Sequence, residues 1–259
     1  MKEMSIKEIM PEGVKVKSLY KAIQVLFYFT RENEELGVTE LAEKSGMLKS
    51  SIYNILSTYE LCGIVERNKK TNKYRLGVRV LELSNQFYQN NDIRQVMKPF
   101  MQQIADNEEE CVYLAVLSDL DVVYIDASFP SSVTGGRNMT GVTAPTYCTG
   151  IGKAMLAFAQ DELIDRVADH GFQSFTHNTI TDKDKLREEL EQIRQRGYSV
   201  DNMEHEHGIK CVAVPIFNKE EQVIGGYSIS GPSPRFNSER IKKLAVMLQN
   251  TAMQVQNQL

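Results

Sequence analysis

The chain has 259 residues, 42% hydrophobic and 25% charged, which are ordinary globular values and leave room for one large or two modest domains. No stretch reaches the apolar length of a bilayer span, and Met1-Lys2-Glu3-Met4 alternates charge instead of opening an apolar signal segment, so a cytoplasmic protein without membrane contact is expected. Cys62, Cys111, Cys148 and Cys211 are scattered with no Cys-x-x-Cys pair, which speaks against a zinc ribbon or a disulfide framework.

The formal charge of −4 is uneven, with residues 1–78 at +3 and the remainder at −7. A mildly basic front on an acidic body fits a chain whose N-terminal part meets nucleic acid. So small an excess needs two copies acting together, which points to a dimer.

Residues 1–16, with Pro11 and Gly13, read as a flexible lead-in. Ser18 is a candidate N-cap for a helix whose stripe is Leu19, Ala22, Ile23, Leu26 and Phe27, supporting the elements that follow. Arg31–Gly37 is a polar connection. Val38–Lys44 and Leu48–Glu60 then flank a tight Ser45-Gly46-Met47 corner, where Gly46 can take positive φ. In the second segment Leu48, Ile52, Ile55, Leu56 and Tyr59 share one face, and Lys49, Ser50, Tyr53, Asn54 and Ser57 the other. A helix with that outer face, following a sharp turn, has the geometry of a DNA-reading helix-turn-helix.

Gly63 ends this helix as a C-cap glycine would. Ile64–Arg67 and Tyr74–Leu76 read as short strands bracketing the basic tip Asn68-Lys69-Lys70-Thr71-Asn72-Lys73. Helix and basic hairpin together make a winged helix. Val78–Tyr88 is amphipathic, Gln89-Asn90-Asn91 interrupts the stripe, and Asp92 can cap a further helix through Ile104 in which Pro99 makes a kink or the true start. Residues 79–97 are read as a linker helix between two domains.

From Cys111 the period changes to that of strands. Cys111–Leu117 and Val122–Ala127 form a hairpin, Ser131–Met139 is a candidate third strand, and Thr149–Ala157 is a glycine-bearing loop feeding a helix. Helices follow at Glu162–His170 and Leu186–Arg196, the latter introduced by Thr181 and stopped at Gly197. Strands at Tyr198–Asn202, Cys211–Phe217 and Val223–Ser230 precede a closing helix at Ser238–Gln258. Hairpins with interposed helices make an α+β domain on a largely antiparallel sheet.

Three features of this domain could carry chemistry. The loop Thr149–Lys153 lets backbone approach a ligand and offers N–H groups to an anion, although it lacks P-loop spacing. Asp201, Glu204, His205 and His207 crowd a strand end, and in an extended segment both histidines would face one side, as a metal-dependent sensor would need. Ser228 and Ser230 share a sheet face near Cys211, where Ser228 or Cys211 with His205 could imitate a nucleophile–base pair. No nucleophile elbow or orienting third residue accompanies that pair, so no catalytic residue, cofactor or metal is assigned.

Several of these segments, in this order, resemble the IclR family of bacterial transcriptional regulators. In the front part these are Leu41-Ala42-Glu43-Lys44-Ser45-Gly46, Lys49-Ser50-Ser51-Ile52-Tyr53 and Tyr74-Arg75-Leu76-Gly77. In the body they are Thr149–Ala157, Gly197–Asp201, Glu204 with Gly208, Cys211–Pro215 and Gly225–Gly231. The resemblance implies a winged helix-turn-helix at 17–78, joined by the 79–97 linker to a GAF-like effector-binding and oligomerisation domain at 98–259. It implies a homodimer or tetramer on palindromic double-stranded operator DNA, more a repressor than an activator, sensing a small organic or sugar-derived acid. DNA would be met by Lys49, Ser50, Ser51, Tyr53 and Asn54, with Lys69, Lys70 and Lys73 on the wing. The effector pocket would use Met139, Gly150, Ile151, Asp201, Cys211, Ser228 and Ser230. Many members carry an arginine where this chain has Asn54. The competing expectation is a GAF-like enzyme acting on a small metabolite.

Overall fold

A computed structural model of the chain describes residues 10–11, 13–30, 32–89, 92–132 and 136–259. The first nine residues of the expected lead-in and the Asn90-Asn91 interruption lie outside them. The chain divides into two compact units, Met1–Asn90 and Asn91–Leu259.

The first unit contains α1 (Lys17–Leu26), α2 (Val38–Ser45), α3 (Lys49–Leu61), β1 (Val65–Arg67), β2 (Tyr74–Leu76) and α4 (Arg79–Gln89). Its core gathers Val25, Phe29, Leu36, Leu41, Ile52, Leu56, Val65 and Tyr74. Gly46 makes the corner between α2 and α3 with φ +67°, a conformation that costs a Cβ-bearing residue energy. At the far end of α3, Gly63 has φ +72°, and the amides of Gly63 and Ile64 donate to the carbonyls of Glu60 (3.0 Å) and Tyr59 (2.9 Å). That pair of bonds is a Schellman closure, and it aims the chain into the wing.

The wing is an antiparallel pair with Val65 opposite Leu76 and Arg67 opposite Tyr74. Leu36 joins it by a two-way backbone bridge to Tyr74, 2.9 Å in each direction, which ties the segment before α2 to the hairpin.

Three expectations for this unit need correction. Ser18 is not a cap, because α1 begins at Lys17 with Val16 at the N-cap and no side-chain capping bond. The stripe of α1 meets the core only in part: Leu26 packs against it beside buried Val25 and Phe29, while Leu19, Ile23 and Phe27 are exposed, Phe27 at 71%. Leu48 also leaves the buried face assigned to it. It is the N-cap of α3, extended and not helical, so helical spacing does not apply to it.

The second unit holds α5 (Asp92–Glu108), β3 (Cys111–Ser118), β4 (Asp121–Ser128), β5 (Thr143–Pro145), α6 (Gly150–Leu156), α7 (Asp161–His170) and α8 (Lys183–Arg196). It continues with β6 (Ser199–Asn202), β7 (Ile209–Phe217), β8 (Val223–Pro232) and α9 (Ser238–Gln256). One six-stranded sheet runs in the order β5-β4-β3-β8-β7-β6 with every pairing antiparallel. Period-two alternation divides its side chains. Val112, Leu114, Val212, Val214, Ile216, Tyr227 and Ile229 pack with α5 and α9. Ala115 and Ala213 pack on the opposite face against Ile151, Ala154 and Met155 of α6.

Here too the pattern misleads in places. Pro99 sits inside α5 and does not start it. Among the described residues of Ser131–Met139 there is no strand, and Val133–Gly135 lies outside them. The edge position goes to β5, which pairs with β4 through Thr143, Ala144 and Pro145. Asp182, not Thr181, caps α8, its carboxylate accepting from the Lys185 amide at 2.9 Å.

Candidate nucleic-acid interface and ligand cavity

Lys49, Ser50, Tyr53 and Asn54 are exposed on α3, and Ser51 is half-buried. The inner face is held down by Ile52 and Leu56, both fully buried, so the orientation of the outer face is set by packing. The wing tip is ordered by its own polar groups. Asn68 Oδ1 accepts from the Lys70 amide (2.9 Å), while Asn68 Nδ2 (2.9 Å) and Thr71 Oγ1 (3.1 Å) donate to Glu35. Lys69 and Lys70 project into solvent. Lys73 does not: its Nζ donates to Glu40 Oε1 at 2.8 Å, so this cation is engaged by α2. Glu40 also accepts from the Gly37 amide at 2.7 Å and closes the start of α2.

The second unit encloses a cavity of about 450 Å³ beside α6. Met139, Gly150, Ile151, Asp201, Cys211, Ser228 and Ser230, far apart in the chain, all line it. Strand register brings most of them together. Asp201 of β6 lies opposite Cys211 of β7, Cys211 opposite Ser230 of β8, and Ser230 opposite Cys111 of β3. Residues directly opposite share a face, so this is one polar row across four strands. The next row contains Ser199, Ala213, Ser228 and Tyr113.

Asp201, Cys211 and Ser230 of this row are linked side chain to side chain. Ser230 Oγ donates to Cys211 Sγ at 2.9 Å, and the Cys211 thiol is 4.0 Å from Asp201 Oδ2. Asp201 Oδ1 accepts from the Glu204 amide at 2.7 Å. Burial nonetheless disfavours the charged carboxylate and pushes Asp201 up to about 7, with the Glu204 charge adding to the rise. Burial likewise raises the Cys211 thiol well above its ordinary range, with the Asp201 charge adding to it. A thiol kept protonated is a poor nucleophile, which weighs against the Cys211–His205 pair as a catalytic arrangement.

Lys153 plays a different part. It is buried and turned away from the cavity, bonded to the Val200 carbonyl (2.9 Å) and paired with Glu204. Glu204 Oε2 is buried without a hydrogen-bond partner among the described residues, and burial raises its carboxyl despite the pull of Lys153. Gly152 is a packing glycine, since a Cβ there would stand 2.4 Å from the Thr146 carbonyl oxygen. Gly150 is the glycine at the cavity, where a Cβ would meet that of Cys211 at 3.2 Å.

The four candidate metal ligands are dispersed. Residues 203–208 form bends and a turn, with Met203 at φ +60°, so the alternation expected of an extended segment is absent. Thr176 and Thr179 brace this turn by donating to the carbonyls of Met203 and Glu204, each at 2.6 Å. His205 packs on Phe175, His207 stacks on His177, Glu204 faces Lys153 and Asp201 faces the cavity. Among the described residues no group of three His, Cys, Asp or Glu side chains is placed to hold a metal ion.

Sequence reasoning missed the aromatic and basic walls. Tyr113 and Tyr124 meet edge to face at 5.7 Å and both line the cavity, as do Arg137, paired with Glu206 at 3.0 Å, and Arg235, 3.5 Å from buried Glu110. Tyr113 was within reach of the pattern, because it alternates with Cys111 along a strand. Arg137 was not, since it lies in an irregular loop whose only signal is composition.

Comparison with known proteins agrees with both units. The family model of the IclR helix-turn-helix domain matches residues 18–69, and that of the bacterial transcriptional regulator IclR C-terminal domain matches residues 85–257. The HTH-type transcriptional regulator KdgR of Escherichia coli is 33% identical over 88% of this chain and 87% of its own. The transcriptional repressor IclR of the same organism is 28% identical over 95% and 90%. The crystal structure of an IclR transcriptional regulator from Alicyclobacillus acidocaldarius superposes with a TM-score of 0.82 at 26% identity, covering 94% of this chain and 98% of that one. No helix among the described residues is long and apolar enough to cross a membrane. With both domain models matched in order along most of its length, the chain belongs to the IclR family of bacterial transcriptional regulators and is a DNA-binding, ligand-responsive regulator, not an enzyme.

Proposed function

We propose that the protein is a cytoplasmic repressor that binds operator DNA as a homodimer or a tetramer and changes its grip when a small organic or sugar-derived acid enters the cavity of the second unit. Lys49, Ser50, Ser51, Tyr53 and Asn54 meet the DNA from α3, with Lys69 and Lys70 on neighbouring phosphates and Lys73 a weaker contributor. Residues 17–78 form the reading domain, 79–97 the link, whose last residues 92–97 already belong to α5 of the second unit, and 98–259 the sensing domain.

The observation carrying this reading is the cavity that collects Met139, Gly150, Ile151, Asp201, Cys211, Ser228 and Ser230 from five separate segments. Its mixture of hydroxyls, a protonatable carboxyl and aromatic walls suits a small, partly polar molecule. Repression rests on the relatives, several of which are repressors. Assembly rests on the exposed stripe of Leu19, Ile23 and Phe27 together with exposed Val78, Leu81 and Phe87 at the start and end of the α4 segment. So much apolar surface on one small unit calls for a partner, and the charge excess of +3 over residues 1–78 calls for two copies on the DNA.

A thermal-shift screen over small organic and sugar-derived acids tests the sensing half, because a ligand bound only by the folded state raises its melting temperature. An acid that raises it, and that changes binding of the chain's own upstream DNA in fluorescence anisotropy, is the expected result. Acids that stabilise Asp201→Asn and Ser230→Ala variants as well as the wild type would overturn the assignment of the cavity. Sedimentation of the Phe27→Asp variant tests assembly, with dissociation expected.

A further inference from the structure

Leu48 departs furthest from its sequence pattern. Lying four positions before Ile52, it would be on the buried face of α3 if it were helical. At the N-cap it is extended, with φ −66° and ψ 141°, and it is 74% exposed. Its backbone is nevertheless fixed, because its carbonyl accepts from the amides of Ser51 (3.0 Å) and Ile52 (3.1 Å). The residue before it, Met47, is half-buried against the core of the unit. A branched apolar side chain is therefore held in solvent at the N-terminal end of α3, beside Lys49 and Ser50.

In a helix-turn-helix the N-terminal residues of the second helix meet base edges in the major groove. Those edges offer hydrogen-bond donors and acceptors, none of which a leucine can use, and one apolar group, the C5 methyl of thymine. A phosphate would leave Leu48 no better placed than water does. Resting on the reading of α3 as the DNA-contacting helix, we infer that Leu48 packs on the C5 methyl of one thymine in each operator half-site, so that this chain selects a thymine which none of its hydrogen-bonding side chains specifies. The backbone that carries it is already fixed by the helix start, so only the side-chain rotamer is ordered on contact.

The test starts from duplexes that the full chain selects from a random pool. Each thymine of the selected sequence is replaced in turn by deoxyuridine, which removes only the methyl group, and affinities are read by fluorescence anisotropy for the wild type and Leu48→Ala. One position per half-site should weaken the wild type about fourfold for each methyl lost, the worth of one buried carbon. Leu48→Ala should bind the thymine duplex more weakly, ignore the uracil at that position and melt at the wild-type temperature. As a control, Lys70→Ala should weaken thymine and uracil duplexes by the same factor. A flat uracil scan with the wild type, or a uracil loss that Leu48→Ala retains in full, would overturn the inference. Failure of the pool to yield any bound duplex would remove the DNA-reading assignment of α3 itself, and this one with it.

Discussion

Lys153 and Glu204 form an ion pair sealed inside the second unit, with side chains 1% and 6% exposed. The pair joins α6 to the turn after β6, and that turn carries the amide held by Asp201. Removing one partner leaves the other charged group in a nonpolar surrounding. Lys153→Met should lower stability by about 3–5 kcal/mol in urea unfolding. Adding Glu204→Leu should recover most of that loss, since an apolar pair replaces the orphaned carboxyl. A double variant as unstable as the single one would show that the pair is not where the cost arises.

Asp201 predicts how stability depends on pH. Its carboxyl is raised from the ordinary carboxylate range to about 7, because burial opposes the charge. The folded chain therefore holds this proton more tightly than the unfolded chain does. The contribution is full below about pH 4, where both states are protonated. It falls as pH rises towards 7 and leaves a penalty on the order of a few kcal/mol above that. Asp201→Asn cannot ionise, so urea midpoints compared at pH 5 and pH 8 should differ less for it than for the wild type. Glu110 and Glu204, also raised by burial, should keep part of the slope in place.

The two ends of the wing tip should differ in DNA binding. Lys70 is exposed and Lys73 is engaged with Glu40. Lys70→Ala should weaken binding to all sequences and lower the slope of log affinity against log salt by about one. Lys73→Ala should change that slope less, because its charge is already balanced in the free protein. Equal slopes for the two variants would remove the distinction.

Glycine replacements separate packing from ligand contact. Gly152→Ala places a methyl 2.4 Å from the backbone oxygen of Thr146, which a flexible side chain cannot relieve, so a clear fall in melting temperature is expected. Gly150→Ala meets Cys211 at 3.2 Å on the cavity wall, so it should fold and should weaken binding of whichever acid the screen identifies. Calorimetry on the two variants reads both effects.

Local signals carried much of this architecture. Gly46, Gly63 and Gly197 marked helix ends from sequence, and each has positive φ. The strand-like run from Cys111 to Leu117 marked β3. The failures share a cause. Helical periodicity assumes helical backbone, so it misplaced Leu48, which is extended, and it cannot say which apolar face of α1 meets its own unit. The bridge from Leu36 to Tyr74 spans a separation no local pattern reports. The polar row of Asp201, Cys211, Ser230 and Cys111 depends on the register of four strands, which the turns and the buried face set together. Motif resemblance brought seven cavity residues into view, whereas Tyr124, Arg137 and Arg235 enter only through the folded geometry.

Three ties fasten the wing to α2 and the segment before it: the Leu36–Tyr74 bridge, the Lys73–Glu40 pair, and the bonds of Asn68 and Thr71 to Glu35. Together they make helix, corner and hairpin one stiff reading head with little internal play. A signal from a bound acid would gain nothing by loosening such a part. In the proposed homo-oligomer such a signal would act by moving the head whole, and the quantity under control would be the distance between heads and not the shape of either.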